Sequence, residues 1–383
     1  MSGLILVSTP AANCSADVGI RGLGFLNASD PTGVTGISAD GHTVLGISGI
    51  VGNQTPLFWS IDPSIQLHQI TRPQGWTDVT PISISANGST VLVIRTNTLS
   101  PSAYLYTSGV VTLIPNPAGT SSIHAVALSP DGSFFVGSAS FSGGVGTRAV
   151  RWNSPTSATQ LALPGSTIQA TAAVAASDGS IYGAGYNGAT GYSVLAQWHD
   201  NLVTPLATLP ISGTVAAAPR FVSADGTVIL GETDTNSSSP TSTAWLWSAA
   251  SGFQPIPLPN GSNSFIPSGM SADASIVVGR NDIFSSTPSA LIWTPQLGTR
   301  TFANFLTLAG VNVGGWTFDD PPVVSADGTR FAGDGLDPNG RREAYLVTIP
   351  APACAPALLC GLALLPRPRR RVSAHSPSNS ARA

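Results

Sequence analysis

The segment from Gly36 to Gly46 reads GISADGHTVLG, and its core, Ser-Ala-Asp-Gly, returns in recognisable form along the chain. The acidic or amide position of this core occurs seven times, with successive gaps of 47, 44, 47, 47, 48 and 54 residues, at Asp40, Asn87, Asp131, Asp178, Asp225, Asp273 and Asp327. A second landmark, usually Trp, follows each position after 19 to 22 residues, at Trp59, Tyr106, Trp152, Trp198, Trp247, Trp293 and Val347. Two landmarks that keep step through seven copies indicate an internal repeat.

Each repeat unit has the composition of four short antiparallel strands. A run of small and β-branched residues such as 34–38 precedes the Asp-Gly pair. Asp accepts local backbone hydrogen bonds and Gly adopts the left-handed conformation, so the pair favours a tight hairpin. A second run such as 43–48, an aromatic strand such as 56–60 and a fourth run complete the unit. The sequence therefore predicts an all-β fold, a seven-bladed β-propeller of four-stranded antiparallel blades.

The two ends of the repeat region predict how the ring closes. The seventh unit has three strands, near 323–325, 329–333 and 344–349, but no fourth strand before the tail. The run LGFL at 23–26 matches a fourth strand, so we expect it to pair beside the strand of Tyr345 and complete the last blade. Such closure removes an open sheet edge. A seven-coil β-solenoid is the alternative, but it does not explain why the missing strand lies at the other end of the chain.

The composition fits an all-β chain and argues against a nucleic-acid-binding surface. Only 9% of the 383 residues are charged, all 16 basic residues are Arg, and Glu occurs only at Glu232 and Glu343. The 41 Gly and 31 Pro favour turns, and 42% apolar residues can bury a sizeable core. The net charge of −3 does not indicate the basic surface that nucleic-acid binding requires.

The repeat resembles the bacterial extracellular HAF-type repeat, whose core is Gly-Ile-Ser-Ala-Asp-Gly followed by Val-Val-Gly and an aromatic strand. The segments 36–46 and 222–231 carry the resemblance, which covers roughly residues 23–349. It implies an exported, propeller-like protein and no particular activity. Two units depart from the pattern, because Asn87 replaces Asp in the second and Ala274 replaces the turn Gly in the sixth, where we expect a looser hairpin.

The C-terminal segment 350–371 resembles the PEP-CTERM class of sorting signals, which an exosortase processes during export to the bacterial surface. It has a Pro-x-Pro motif, thirteen mostly apolar residues at 353–365 and an Arg cluster, and its signal residues are Pro350, Pro352, Arg367, Arg369, Arg370 and Arg371. Ala351 departs from the usual Glu, and twelve residues follow Arg371 as an expected disordered tail, 372–383. Thirteen residues are also fewer than the ~20 that span a bilayer. The alternative is a disordered Pro/Arg tail throughout.

The N-terminal residues 1–18 resemble the remnant of a secretory signal peptide, with an apolar run at 3–7 and small residues before Cys14. Arg21 is the first basic residue, so we expect the natural start to lie further upstream. Cys14 is an alternative lipidation site in a poor sequence context. The predicted organisation is thus a signal remnant, a monomeric propeller at 19–349 and a sorting segment, exported to the cell surface or beyond it.

A ligand face is predicted on the loops that join strand two to strand three and strand four to the next blade. Two of these loops, 71–78 and 309–320, combine an aromatic ring with acids, which suits a carbohydrate because the ring covers a sugar face while the acid binds hydroxyl groups. The candidate residues are Arg72, Trp76, Asp78, Trp316, Asp319 and Asp320. Other loops of the same face carry Asp234, Arg280, Asn281, Asp282 and Asp334. The alternative is that these residues only form turns.

No catalytic, cofactor or metal site is predicted. Asp319 and Asp320 are neighbours in sequence and need not face one cleft, as the two carboxylates of a glycosidase must. The histidines of the repeat region are scattered singly, at His42, His68, His124 and His199. The segment 337–340 has calcium-loop character but lacks the rest of the ligand set.

We therefore expect a non-catalytic binding or scaffold module. Its expected partners are exopolysaccharide or envelope proteins and an exosortase-like sorting machinery, with no nucleic acid and with membrane contact only through the C-terminal segment. The alternative is a carbohydrate-active enzyme, either a polysaccharide lyase or a glycosidase. Three or more acids, Arg or Tyr converging at the mouth of the propeller would favour the enzyme, whereas Ser, Thr, Gly and apolar residues there would favour binding.

Overall fold

A computed structural model describes residues 18–95, 102–143, 146–200, 202–208, 217–234, 242–259, 262, 264–281 and 289–350. The predicted sorting segment beyond Pro350, nearly all of the predicted signal remnant, and Asp282 lie outside the described residues. Those expectations remain predictions.

The described residues form seven four-stranded antiparallel sheets in a ring, which confirms the predicted propeller. Blade 1 contains β2 Thr32–Ile37, β3 Thr43–Ser48, β4 Thr55–Ser60 and β5 Gln66–Gln69. Blade 2 contains β6 Val79–Ile84, β7 Thr90–Arg95, β8 Ser102–Thr107 and β9 Val110–Ile114. Blade 3 contains β10 Thr120–Leu128, β11 Phe135–Phe141, β12 Gly146–Ser154 and β13 Ser157–Gln160. Blade 4 contains β14 Gln169–Ala175, β15 Ile181–Tyr186, β16 Ser193–His199 and β17 Leu202–Thr208. Blade 5 contains β18 Ala217–Val222, β19 Ile229–Asp234, β20 Ser242–Ser248 and β21 Gly252–Pro255. Blade 6 contains β22 Ile266–Met270, β23 Val277–Arg280, β24 Ala290–Thr294 and β25 Gly298–Thr301. Blade 7 contains β26 Val323–Val324, β27 Arg330–Leu336, β28 Arg342–Thr348 and β1 Gly19–Gly22.

The last blade is closed by the N-terminal strand as predicted, but the strand lies earlier in the chain than 23–26. Strand β1 pairs antiparallel with β28, with Gly19 opposite Thr348 and Gly22 opposite Tyr345. Leu23 adds one backbone hydrogen bond, from its N–H to the carbonyl of Ala344 at 2.8 Å. The apolar run at 23–26 suggested a strand, yet its buried Leu23 packs in the core between blades 7 and 1 while the pairing is made by the residues before it.

Two faces of the ring follow from the antiparallel order. The connections from strand one to two and from three to four lie at one end of each blade, here called the turn face. The connections from strand two to three and from strand four to the next blade lie at the other end, here called the loop face. The longest repeat spacing arises on the path to blade 7, because the helix α1, Phe302–Leu308, follows β25 and buries Phe302, Phe305 and Leu306.

The Asp-Gly turns are held by a repeated set of hydrogen bonds. In blade 3, Ser129 Oγ donates to Asp131 Oδ1 at 2.6 Å, and the same carboxylate oxygen accepts from the N–H of Ser133 at 3.0 Å. The sixth turn was expected to be looser, and that expectation is wrong. Ala274 adopts φ of 56° and donates its N–H to Ser271 at 3.0 Å, so the turn keeps its usual bonds with a non-glycine residue in the left-handed conformation.

Backbone hydrogen bonds also connect the turns of neighbouring blades. Five junctions have such a bond: Ala224 N–H to Ala272 O, Ala272 to Ala326, Ala326 to Ala39, Asp40 to Ala86, and Ala86 to Pro130, at 2.6 to 3.2 Å. Pro130 has no N–H and cannot continue the series to blade 4. Within the described residues, neither neighbour of blade 4 shares such a bond with its turn, which makes this blade the exception on the turn face.

The cores lie between adjacent blades and depend on glycines in the second strands. A Cβ on Gly46 would lie 2.6 Å from Cζ3 of Trp59, and one on Gly183 would lie 2.9 Å from Cζ3 of Trp198. Only glycine therefore leaves room for the ring of the third strand at these positions. In blades 1 and 4, the Gly of the second strand and the aromatic landmark of the third are thus one packing unit.

Candidate functional site

Charged side chains from three parts of the chain meet on the loop face, where blades 6 and 7 adjoin. Asp334 lies near the end of β27 and Arg342 begins β28, while Asp319 and Asp320 lie in the connection between α1 and β26. Arg280 ends β23 of the preceding blade. We call these five residues the charged cluster.

Arg342 holds the charged cluster together. Its Nη2 donates to Oδ2 of Asp319 at 2.5 Å, and its Nη1 donates to Oδ2 of Asp334 at 2.8 Å and to Oδ2 of Asp320. Arg280 Nη1 lies 3.6 Å from Oδ1 of Asp320. The planar guanidinium offers several fixed donors, which is why one Arg can serve three carboxylates. With three acids and two Arg, the formal charge of the cluster is −1.

Asp334 is the most buried acid of the cluster, with a side chain 15% exposed. Burial raises the pKa of Asp334 to about 6, and the charge of Asp320 adds to this effect. The hydrogen bonds from Arg342 and from the N–H of Val34, at 3.3 Å, act in the opposite direction. A carboxyl group with this pKa exchanges its proton near neutral pH. The hydrogen bond from the N–H of Val34 connects the carboxylate of Asp334 to blade 1.

Three buried polar atoms of the same region have no hydrogen-bond partner among the described residues: Oδ1 of Asp319, Nε of Arg280 and the hydroxyl of Tyr345. Tyr345 is fully buried in β28, and burial together with the charges of the three cluster acids raises its pKa. Buried polar atoms in folded proteins normally have a partner, which is often water or a ligand. The charged cluster therefore keeps unused hydrogen-bonding capacity although its charges are paired.

The candidate loop 71–78 is anchored to its own blade. Arg72 Nη1 donates to the carbonyl oxygens of Gln54 at 3.2 Å and Thr77 at 3.1 Å. Asp78 is 7% exposed and accepts from the N–H of Gly52 at 2.9 Å. These contacts brace the β3–β4 connection, so they give both side chains a structural task.

Two predicted aromatic residues are partly used in packing. Trp76 lies edge-on to Tyr104, with ring centroids 5.7 Å apart, and Arg95 lies over its ring at 5.5 Å. Trp316 lies edge-on to Tyr345 at 5.8 Å and packs on the core of blades 6 and 7. Trp316 thus borders the charged cluster through Tyr345, whereas Trp76 belongs to the core between blades 1 and 2.

The structure brings Asp319 and Asp320 together with Arg280 and Asp334, all four of which the sequence assigned to loops of the ligand face. Arg280 and Asp334 lie instead in the strands β23 and β27, near the ends that reach this face. Arg342 was missed, because the sequence places it at the start of a strand, next to Arg341, with no signal to distinguish the two. Arg341 instead binds Asp337 at 2.8 Å within its own loop. Asn281 accepts from the N–H of Ser289 at 2.8 Å, and the side chain of Asp234 is not described.

The calcium-like segment 337–340 serves the fold. Asp337 accepts from the N–H groups of Asn339 and Arg341, both at 2.8 Å, which together with the Arg341 side chain lower its pKa to about 2. Among the residues the structure covers, no group of three or more His, Cys, Asp or Glu side chains is arranged to hold a metal ion. The covered residues also include no helix of the length and apolarity that crossing a membrane requires.

Comparison with known proteins shows that this chain is similar in fold to several solved structures. No protein-family model and no curated protein matches the chain. An oligogalacturonate lyase from Vibrio parahaemolyticus is similar with a TM-score of 0.55 and 10% identity, over 88% of this chain and 95% of that one. Puromycin hydrolase has a TM-score of 0.52 and 15% identity, over 85% of this chain and 54% of its own. The β-propeller domain of the Trilobed protease from Pyrococcus furiosus, described as an open velcro topology, has a TM-score of 0.51 and 10% identity, over 83% and 95%. At these identities the similarity shows that the chain has a β-propeller fold.

Proposed function

We propose that this protein is an exported, non-catalytic β-propeller that binds a glycan at the cell surface, and that the charged cluster is its binding surface. The observation that carries the proposal is the convergence of Arg280, Asp319, Asp320, Asp334 and Arg342 on the loop face, with side chains 15% to 36% exposed. Donors and acceptors side by side suit the hydroxyl groups of a sugar, which act as both.

The pairing within the cluster favours binding over catalysis. Each acid already accepts a hydrogen bond from Arg342, and the three carboxylates share this one cation. A general base or nucleophile needs a free lone pair directed at the substrate. The paired cluster instead offers a fixed polar surface, whose side chains are partly exposed and already held in place by their ion pairs.

A carbohydrate-active enzyme is the second candidate, and one observation favours it. Three acids and two Arg converge on the loop face, and the pKa of Asp334 is raised to about 6 by burial. A carboxyl group with such a pKa can act as a general acid near neutral pH. On this alternative, Asp334 would transfer a proton and Arg342 would bind the negative charge of an acidic sugar.

A binding and turnover experiment separates the two candidates. The full chain is applied to an array of neutral and acidic polysaccharides, and released reducing ends or unsaturated sugars are measured in parallel. We expect binding without product, and at least tenfold weaker binding by Asp320→Asn and Arg280→Gln. Arg21→Gln, which removes an exposed Arg from β1, is the matched control and should bind like the wild type.

Two results would contradict the binding proposal. Product formation that Asp334→Asn abolishes would establish the enzyme. Binding that neither Asp320→Asn nor Arg280→Gln weakens would place the glycan elsewhere on the propeller.

Export rests on the resemblance to HAF-type repeats and to PEP-CTERM signals, and we propose both as features of this protein. On this account an exosortase-like enzyme recognises Pro350, Pro352 and the Arg cluster, and exopolysaccharide or an envelope protein binds the propeller. Deletion of 350–383 should release the protein from the cell surface or block its maturation. Unchanged localisation in cell fractions would contradict this part of the proposal.

A further inference from the structure

A pocket of about 140 Å³ opens on the turn face between blades 3 and 4. Its lining includes Arg151 and Asn153 from blade 3 and Gly179, Trp198 and His199 from blade 4. A cavity of ~150 Å³ holds a benzene molecule, so this pocket accommodates one six-membered ring. It lies on the face opposite the charged cluster.

The first reason for the pocket is an exception in the repeat. Arg151 stands immediately before the aromatic landmark of its third strand. Five other blades have an apolar residue at this position, and each packs in the core towards the next blade: Phe58, Leu105, Leu246, Ile292 and Leu346. Blade 4 has Gln197 there, which donates to Ser180 and Tyr182. In blade 3 a charged side chain therefore replaces the apolar residue that closes most other junctions.

The second reason is the position of the blade 4 turn. A Cβ on the turn glycine would lie within 3.2 Å of the preceding blade at Gly41, Gly88, Gly132, Gly226 and Gly328. At Gly179 such an atom would meet nothing within 4 Å. The same junction lacks the backbone bond between turns, because Pro130 has no N–H. The turn of blade 4 stands away from blade 3, and the pocket occupies the gap.

Arg151 is fixed in place but has free donors. Its guanidinium lies over the ring of Phe134, 3.9 Å from the centroid, and its Nε donates to Asn153 Oδ1 at 2.8 Å. Within the described residues, its two Nη atoms have no hydrogen-bond partner. A held guanidinium with two free terminal nitrogens matches a carboxylate, which it can bind through two parallel hydrogen bonds at little entropic cost.

The remaining polar lining suits hydroxyl groups. His199 is held by Ser180 Oγ, 2.9 Å from its Nδ1, and its Nε2 lies 3.4 Å from the carboxylate of Asp200. Asp200 is 88% exposed at the rim. A bare anion would gain Arg151 but meet the negative rim, whereas a hydroxylated carboxylate can donate to Asp200 at its other end.

We propose that this pocket is a second binding site, specific for a small hydroxylated carboxylate of the size of one uronic acid. The Nη atoms of Arg151 bind the carboxylate, His199 and Asp200 bind hydroxyl groups, and Trp198 and Leu161 form part of the apolar wall. The site is independent of the glycan surface proposed on the loop face.

Isothermal titration of the full chain with glucuronate tests this site, with glucose as the neutral probe. We expect saturable binding of glucuronate and at least tenfold weaker binding of glucose. Arg151→Leu, which restores the residue type of the other blades, should weaken glucuronate binding at least tenfold while its melting temperature stays equal to or above that of the wild type. Arg21→Leu removes an exposed Arg from blade 7 and should bind like the wild type.

Two outcomes would overturn the second site. One is the absence of saturable glucuronate binding by the wild type. The other is equal binding by the wild type and a folded Arg151→Leu variant. Because Asp320→Asn and Arg280→Gln should leave glucuronate binding in this pocket unchanged, its failure can be distinguished from failure of the loop-face proposal.

Discussion

The turn face and the loop face both depend on aspartate, but in opposite electrostatic settings. In the turns, the hydroxyl of Ser129 and the N–H of Ser133 lower the pKa of Asp131, and the hydroxyl of Ser223 acts in the same way on Asp225. On the loop face, burial and a neighbouring carboxylate raise the pKa of Asp334 to about 6. The same side chain closes a hairpin where donors surround it, and becomes a site that can exchange a proton where acids crowd together.

The two settings also differ in how they recur around the ring. The hydrogen bond from a backbone N–H to the turn Asp or Asn is repeated in every blade because each hairpin must reverse, and its residues are adjacent in sequence. The charged cluster occurs once among the described residues and joins two blades and the connection between them. A feature repeated seven times serves the architecture, whereas a single departure from the repeat is the better candidate for function.

The largest effect is expected from Arg342→Gln. Removing the central cation leaves three partly buried carboxylates close together, which should lower the free energy of unfolding by about 2–3 kcal/mol, less than for a fully buried pair because these groups are partly solvated. Chemical denaturation measures the change. The loss should be smaller near pH 5 than near pH 8, since protonation relieves the repulsion. Arg21→Gln, which removes an exposed Arg from the same blade, is the control and should change the free energy of unfolding by less than about 0.5 kcal/mol. Equal losses for the two variants would mean that Arg342 does not hold the cluster together.

A smaller effect is expected from Asp131→Ala on the turn face. The variant loses hydrogen bonds from Ser129 Oγ, Ser133 N–H and Ser133 Oγ, at a cost of about 1.5 kcal/mol. Asp178→Ala is the matched comparison, because blade 4 has Ala176 where blade 3 has Ser129, so Asp178 lacks the bond from a leading serine and accepts only from the N–H and the hydroxyl of Ser180. Denaturation of both variants should show the smaller loss for Asp178. A larger loss for Asp178→Ala would contradict the role given to the leading serine.

The smallest effect on stability is expected from substitutions between Ala and Gly at turn positions with a left-handed backbone. Ala274 has a left-handed φ of 56°, so Ala274→Gly should raise the free energy of unfolding by about 1 kcal/mol. Gly179→Ala should lower it by a similar amount, since Gly179 has φ of 83° and open space for a Cβ. Thermal or chemical unfolding of both variants measures the two changes in the free energy of unfolding. A loss of stability in Ala274→Gly would show that the alanine methyl group contributes more than the strain costs.

The repeat made the propeller predictable because two landmarks, Asp-Gly and the aromatic ring, mark adjacent elements of each blade. The closing strand was predicted in the correct part of the chain but not in register, since the apolar run at 23–26 is a core contact and β1, Gly19–Gly22, has little strand character. Asp319, Asp320, Asp334 and Arg280 could be assigned to one face from their loops. Their convergence could not be predicted, because it depends on Arg342 and on the path of the connection between blades 6 and 7, which brings Asp319 and Asp320 to the ends of β23 and β27.

The loop 71–78 shows structural roles that the sequence could not distinguish from ligand binding. Arg72, Trp76 and Asp78 have the residue types of a ligand face, yet Arg72 and Asp78 bind the backbone of their own blade and Trp76 packs in a core. The sequence gives no sign of this difference, because a carboxylate that accepts a backbone N–H and one that faces a ligand have the same local composition. Only the partner atoms separate them.

A titration of aspartate carboxyl carbons by NMR, on the full chain labelled at aspartate, tests the contrast between the two faces most directly. We expect one carboxyl group that titrates with a pKa of about 6 and is missing in Asp334→Asn, while Asp131 and Asp225 titrate below the ordinary aspartate pKa. Because the folded pKa of Asp334 is raised, the wild type should also lose stability relative to Asp334→Asn as the pH rises from about 4 to about 7. A spectrum in which every aspartate titrates near its ordinary pKa of about 3.9, in the wild type and the variant alike, would contradict the account.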